Sequence, residues 1–310
     1  MNVFVAGGSG VLGRAALPML VAAGHRVRAT CRGPEKADLV RSMGAEPVDA
    51  DLYDPAAARQ AIGGSDAIIR LTTKIGSISG MRSARNWEET NRLRTEGARI
   101  LVDAALAVGV PVYVHESIVF VYRDGSAAWL GEDAATDDGG TPILRAALHG
   151  EQEAARFTRA GGRGIVLRFG GFYGADAPSS RETLAMARKR MLPRIGLGAN
   201  YFSSIYVPDA GRAVAASVSL PAGIYNVCDD QPLLFSEYVD ALIAAAGAPQ
   251  PFRLPAFLGS LLFGEIWKYF PRSLRASNAK LKSLGGWRPE VASSRKGWAL
   301  VAEGQKSVIT

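Results

Sequence analysis

The sequence predicts an α/β protein, a doubly wound parallel sheet followed by a smaller helix-rich portion. Three observations predict it. The chain has 310 residues, enough for one large or two modest domains with a sizeable core. Short apolar runs alternate with helical stretches through its first half, and a glycine-rich turn joins the first run to the first helical stretch.

The elements follow in order. Residues 3–6 are an apolar run, Gly7 to Gly13 form a glycine turn, and residues 14–23 have helical spacing. A strand is predicted over 26–30, a polar helix over 34–43, a third strand over 46–50 and a helix over 55–62. Then come a strand over 67–71, a long helix over 91–108, a strand over 112–116, a helix over 144–160 and a strand over 164–169. Strands and helices alternating at this spacing require right-handed crossovers and a sheet covered on both faces. Past Gly174 the alternation weakens into a basic helix over 181–190, strands over 204–207 and 222–227, a helix over 236–246 and an apolar helix over 255–270. The predicted division is a nucleotide-binding domain over 1–175, with a returning segment near 203–228, and a smaller portion from 176–202 and 229–310.

Composition excludes several classes. Apolar residues make up 48% and charged residues 21%, as in ordinary globular proteins, and no stretch reaches the roughly 18 uncharged residues of a membrane helix. Met1-Asn2 leads directly into Val3-Phe4-Val5 without a secretory signal, so the expected location is the cytoplasm. Cys31 and Cys228 have neither disulfide nor zinc spacing and are expected to be buried hydrophobes, with no metal site. Residues 266–310 hold nine basic and two acidic residues, which accounts for the whole net charge of +7. These charges are scattered among apolar residues rather than clustered with stacking aromatics, so a solvated helical face is expected and no nucleic acid.

The glycine turn carries chemistry. Gly7 permits the tight turn, Gly10 lets backbone approach a pyrophosphate, and Gly13 lets the helix pack on the strand; Ser9, Val11 and Leu12 complete the loop that opens the helix. Dinucleotide binding is the expected role. The second strand ends at Thr30-Cys31-Arg32, without the carboxylate that binds the ribose hydroxyls of NAD. Arg32 can pair with a 2′-phosphate, so NADP is expected over NAD; the alternative is a solvated loop arginine.

The Gly7–Gly13 turn, Asp51-Leu52-Tyr53-Asp54, the run from Arg168 to Gly174, the run from Ile205 to Ala210 and Tyr225-Asn226-Val227 come in the order seen in a known family. Through them the sequence resembles the extended short-chain dehydrogenase/reductases, often described as NAD-dependent epimerase/dehydratases. The resemblance implies that Asp51 and Leu52 flank the adenine. It implies too that Leu71, Thr72 and Thr73 line the nicotinamide ribose, that Phe169, Gly170 and Phe172 face the nicotinamide, and that Tyr206 to Asp209 close a substrate pocket.

The family's catalytic set is a tyrosine, a lysine four residues later and a Ser or Thr. No tyrosine here has a lysine four positions on. Aligned on Glu153, the lysine position falls on His149 and the tyrosine position on Arg145; aligned on Tyr122, the hydroxyl position falls on Ile118. The chain is therefore an atypical member. Its candidate catalytic residues are Tyr122, at the carboxyl edge of the fifth strand, His149 as a proton exchanger and Arg145 to orient an anionic or carbonyl substrate, with Lys74 as a further candidate. The expected function is an NADP-dependent oxidoreductase or epimerase of a small metabolite; the alternative is a non-catalytic NADP-binding sensor. A homodimer is left open. Membrane attachment through residues 257–270 is not expected, because Gly259, Gly264 and the single Lys268 fit a lid or interface helix instead.

Overall fold

A computed structural model describes residues 1–74 and 85–307. Seven strands, β1 (Asn2–Ala6), β2 (Arg26–Thr30), β3 (Glu46–Val48), β4 (Ala67–Arg70), β5 (Val112–Ile118), β6 (Arg163–Phe169) and β7 (Gly223–Val227), form one parallel sheet. Their order across the sheet is β7-β6-β5-β4-β1-β2-β3. β1 pairs with β2 on one side (Val3 opposite Val27) and with β4 on the other (Val3 opposite Ala67), so the strand order reverses at the end of β1. In open α/β sheets, ligands bind at that switch point.

Strand periodicity divides the core between two helical layers. Val3, Val5, Ala67, Ile69, Val112, Val114, Ile165 and Leu167 pack against α1 (Val11–Ala22), α2 (Pro34–Ser42) and, later in the chain, α8 (Val207–Ser217). The intervening Phe4, Ile68, Tyr113 and Val166 pack against α3 (Pro55–Ile62), α5 (Ala98–Val108) and α6 (Pro142–Arg159). The long helix predicted over 91–108 begins earlier, as α4 (Arg85–Arg92), and joins α5 through a π-helical turn, Leu93–Gly97. Trp87, buried beneath α6, anchors the additional turns.

Beyond β6 a second, smaller core unites α7 (Pro178–Arg188), α9 (Phe235–Ala246) and the C-terminal helix Ser294–Ser307 through Leu184, Leu242, Trp298 and Val301. The apolar helix predicted over 255–270 is not continuous. It breaks into a short 3-10 turn, a helix over Gly259–Phe263 and another 3-10 turn, because Gly264 takes φ +56° and ends the helix. Cys31 and Cys228 are both buried thiols.

Candidate functional site

The glycine turn lies between β1 and α1, as its spacing predicts. Gly13 is the most constrained position: a Cβ there stands 2.4 Å from the carbonyl oxygens of both Gly7 and Gly8, so any side chain drives the helix off the turn. A Cβ at Gly10 has only the Gly7 oxygen nearby, at 3.3 Å, and otherwise faces open space. Gly10 caps α1 without a side-chain hydrogen bond. The helix N-terminus therefore presents its amides, and the positive end of its dipole, to whatever approaches. A dinucleotide pyrophosphate fits this cradle, which any larger residue at position 10 fills.

The Thr30 hydroxyl accepts from the Gly7 amide at 2.8 Å and ties the turn to β2. Ser9 and Val11 are half-buried and Leu12 is buried. Arg32, one residue past the buried Cys31, is exposed and has no ion-pair partner among the described residues. Leu71 and Thr72 meet the turn directly, their backbone atoms 3.1 Å from a Cβ built on Gly7, and Thr73 follows half-buried. Asp51 is exposed and accepts from the Tyr53 amide, while Leu52 packs against the α3–α5 layer. Phe169 is buried and meets the half-buried Phe172 in a tilted ring contact at 5.2 Å. Gly170 lies where the backbone of Ser203 and Ser204 passes 2.9 Å from a Cβ position.

The candidate catalytic residues do not converge. Tyr122 is fully buried; its hydroxyl donates to Asn226 Oδ1 at 2.8 Å, and the Arg168 guanidinium lies over its ring at 4.7 Å. Burial pushes its phenol up to about 12, against the pull of Arg168. Arg145 points outward, its side chain 68% exposed, and pairs with Asp138 at 2.9 Å. His149 is half-buried, with Nδ1 unpartnered among the described residues. Lys74 is exposed, and its backbone brackets the Thr90 hydroxyl.

The inward face of α6 instead carries Ile143, Ala147 and Glu151, spaced four apart and all buried. Ile143 and Ala147 share an apolar cluster with Val121, Ile266 and Tyr269, and Ile118, Phe120 and Phe270 pack against it. Phe120 meets Tyr269 in a tilted contact at 5.8 Å and stacks on Phe270 at 6.3 Å. Glu151 receives the Arg168 guanidinium at 2.8 and 2.6 Å and the Ser117 hydroxyl at 2.6 Å. Deeper still, Arg94 Nη2 donates to Glu116 Oε1 at 2.9 Å while Arg70 Nη1 stands 3.9 Å from Oε2. His115 lies beside them against Gly150, and its pKa is held well below the ordinary value by burial and by both arginines. Sequence reasoning passes over this buried charge set because strand residues 115–117 and 168 look like any polar end of a strand. Only the pairing of β5 with β6 brings Ser117 opposite Arg168.

A family model described as NAD(P)H-binding matches residues 7–165, half of the chain. The chain belongs to the NAD(P)H-binding family of extended short-chain dehydrogenase/reductases. It is 33% identical to a 3-diazoavenalumate denitrifying reductase of a Streptomyces species, over 96% of this chain and 99% of that one. It is also 27% identical to a 2-alkyl-3-oxoalkanoate reductase of Stenotrophomonas maltophilia, over 86% of this chain and 82% of that one. Among solved structures it resembles a UDP-glucose 4-epimerase of Thermotoga maritima, with TM-score 0.80, 18% identity and all of both chains covered. A dTDP-glucose 4,6-dehydratase of Streptomyces venezuelae with NAD bound gives TM-score 0.78 at 20% identity, covering 99% of this chain and 97% of that one. These structures establish the doubly wound Rossmann fold. The curated relatives make this family member an NAD(P)-dependent, oxidoreductase- or epimerase-like enzyme of small molecules. No helix among the described residues is long and apolar enough to cross a membrane.

Proposed function

We propose that this enzyme is an NADPH-dependent reductase that passes a hydride to an electron-deficient small molecule without a tyrosine–lysine couple. The stripe Ile143–Ala147–Glu151 carries the reading. Glu151 is fixed against β6 by Arg168, whereas Glu153 sits at the helix edge with Arg156. Aligned on Glu151, the family's tyrosine and lysine positions fall on Ile143 and Ala147, and its hydroxyl position remains Ile118. All three side chains are apolar and lie in or against one cluster. An alcohol oxidation or a sugar epimerisation needs a base at these positions, and none of these side chains can serve.

A reduced nicotinamide dinucleotide held at the glycine turn supplies the hydride. The chain's own residues hold the pyrophosphate at the α1 N-terminus, and Arg32 pairs with a 2′-phosphate. Phe120, Tyr269 and Phe270 keep water from the acceptor end. An acceptor that brings its own positive charge needs no proton: an arenediazonium ion that takes up a hydride yields the arene and dinitrogen. The Streptomyces relative is named for a denitrifying reduction of a diazo compound.

Tyr269 favours a second reading, carbonyl reduction, which does need a proton. Its phenol belongs to the same cluster as Ile143 and Ala147, and burial raises its pKa while the Arg94 charge acts against the rise. The oxoalkanoate reductase relative is in keeping with that chemistry.

NADPH consumption with an arenediazonium carboxylate, an aromatic aldehyde and UDP-glucose tests the proposal, with deuterium at C4 of the cofactor traced into the product. Deuterium on the arene carbon is the expected result. Preferential turnover of the sugar nucleotide overturns the reading. Aldehyde reduction that disappears in Tyr269→Phe, with the diazonium reaction absent, replaces it with the second.

A further inference from the structure

We propose that the face formed by the loop after α7 and the segment before Gly264 docks on an anionic lipid bilayer. Two stretches far apart in sequence make it. Residues 194–195 pair in parallel with 253–254, and the Arg194 and Gly196 amides donate to the Phe252 and Leu254 carbonyls, each at 2.9 Å. A Cβ on Gly196 stands 3.3 Å from that of Ala256, so the chain beyond each strand stays side by side.

This joined surface is apolar and wet. Leu197 is 81% exposed and Phe257 74%, and Met191, Phe252 and Leu261 are exposed as well. Five of the eleven exposed large apolar side chains among the described residues therefore gather in these two stretches, where scattered single residues are the norm on a soluble surface. The charge pattern is one-sided. Residues 183–208 and 241–264 contain no Asp or Glu, while Arg188, Lys189, Arg190 and Arg253 are exposed and have no ion-pair partner among the described residues. Arg194, the remaining cation, is spent on Asp240.

Phenylalanine and leucine flanked by unpaired cations match the headgroup boundary of a bilayer that carries anionic lipid. The rings and aliphatic chains enter the acyl edge while the guanidinium and ammonium groups meet phosphates. A second copy of the chain fits the same surface poorly, because a two-fold contact sets the same four cations against one another. Residues 257–270 considered alone show one lysine. Arg253 precedes them, and Arg188, Lys189 and Arg190 come from the end of α7 and the residues after it, which only the fold brings alongside. From this face the chain runs on into Ile266 and Tyr269, in the apolar cluster of α6.

Co-sedimentation of the full-length protein with vesicles of phosphatidylcholine, alone or mixed with phosphatidylglycerol, tests the assignment. Binding to the mixed vesicles only, weakened by salt, is expected. Arg188→Gln/Lys189→Gln/Arg190→Gln is expected to bind about 100-fold more weakly, at about 1 kcal/mol for each cation near an anionic surface. Phe257→Ser/Leu261→Ser is expected to lose binding with an unchanged thermal transition, since both side chains already face water. Failure to bind either vesicle overturns the proposal, as does binding that neither variant alters. A dimer in light scattering that Phe257→Ser/Leu261→Ser dissociates assigns the face to a second copy and overturns it too.

Discussion

The two ends of the sheet's carboxyl edge are built in opposite ways. At β1 the glycine turn is so tight that a Cβ built on Gly13 would stand 2.4 Å from the carbonyl oxygens of Gly7 and Gly8. At the β5 and β6 end the side chains Ile118, Ile143 and Ala147 lie in or against one apolar cluster, and polar side chains nearby are engaged. Tyr122 is bound to Asn226, Arg168 to Glu151 and Arg94 to Glu116. Holding a dinucleotide is a task for the backbone, which tolerates little change. Choosing an acceptor is a task for side chains, which one substitution can rewrite.

The largest effect is expected where that contrast is sharpest. Gly10→Val fills the space at the α1 N-terminus while leaving φ −72° within reach of any residue, so nucleotide binding is expected to vanish and the fold to persist. Calorimetry with NADPH, controlled by circular dichroism, checks it. At the other end, Arg168→Met strands the Glu151 carboxylate and is expected to cost about 3–5 kcal/mol of stability in urea unfolding. Nucleotide affinity in that variant is expected to stay unchanged. A loss of affinity equal to the loss from Gly10→Val means that the two ends are coupled rather than separate.

What the sequence discloses follows the same divide. The sheet and the nucleotide turn are legible because their signals are local: apolar runs of strand length, glycines at fixed offsets, and Thr30-Cys31-Arg32 without a carboxylate. The buried face of α6 is not legible, because it depends on which glutamate of the helix faces the sheet. Glu151 and Glu153 are two residues apart, about 200° around the helix, and only burial against β6 distinguishes them. The helix predicted over 255–270 fails for a related reason: composition favours a helix, while Gly264 at φ +56° turns the chain so that Trp267 folds back over Gly259.

Smaller effects sharpen the comparison. Arg32→Ala removes an exposed side chain at the nucleotide end, so stability is expected to stay within error while NADPH affinity falls by about tenfold, the weight of one charge-assisted pair. NADH affinity is expected to remain the same. Parallel fluorescence titrations decide it, and an unchanged NADPH-to-NADH ratio removes Arg32 from the 2′-phosphate.

Tyr122→Phe should produce the smallest change, and it separates packing from catalysis at the acceptor end. A general acid contributes roughly 10²- to 10⁴-fold to a rate, so a catalytic Tyr122 loses that much when its hydroxyl is removed. A tyrosine that is fully buried, bonded to Asn226 Oδ1 and pushed up to about 12 holds its proton for the fold instead. Its loss is expected to cost about 1 kcal/mol of stability, the net worth of one internal hydrogen bond, with a hydride-transfer rate close to that of the parent. Single-turnover oxidation of bound NADPH, measured beside urea unfolding of the same preparation, separates the two outcomes. A hundredfold slower turnover with unchanged stability makes Tyr122 the proton donor and ends the contrast between a backbone-built nucleotide end and an apolar acceptor end.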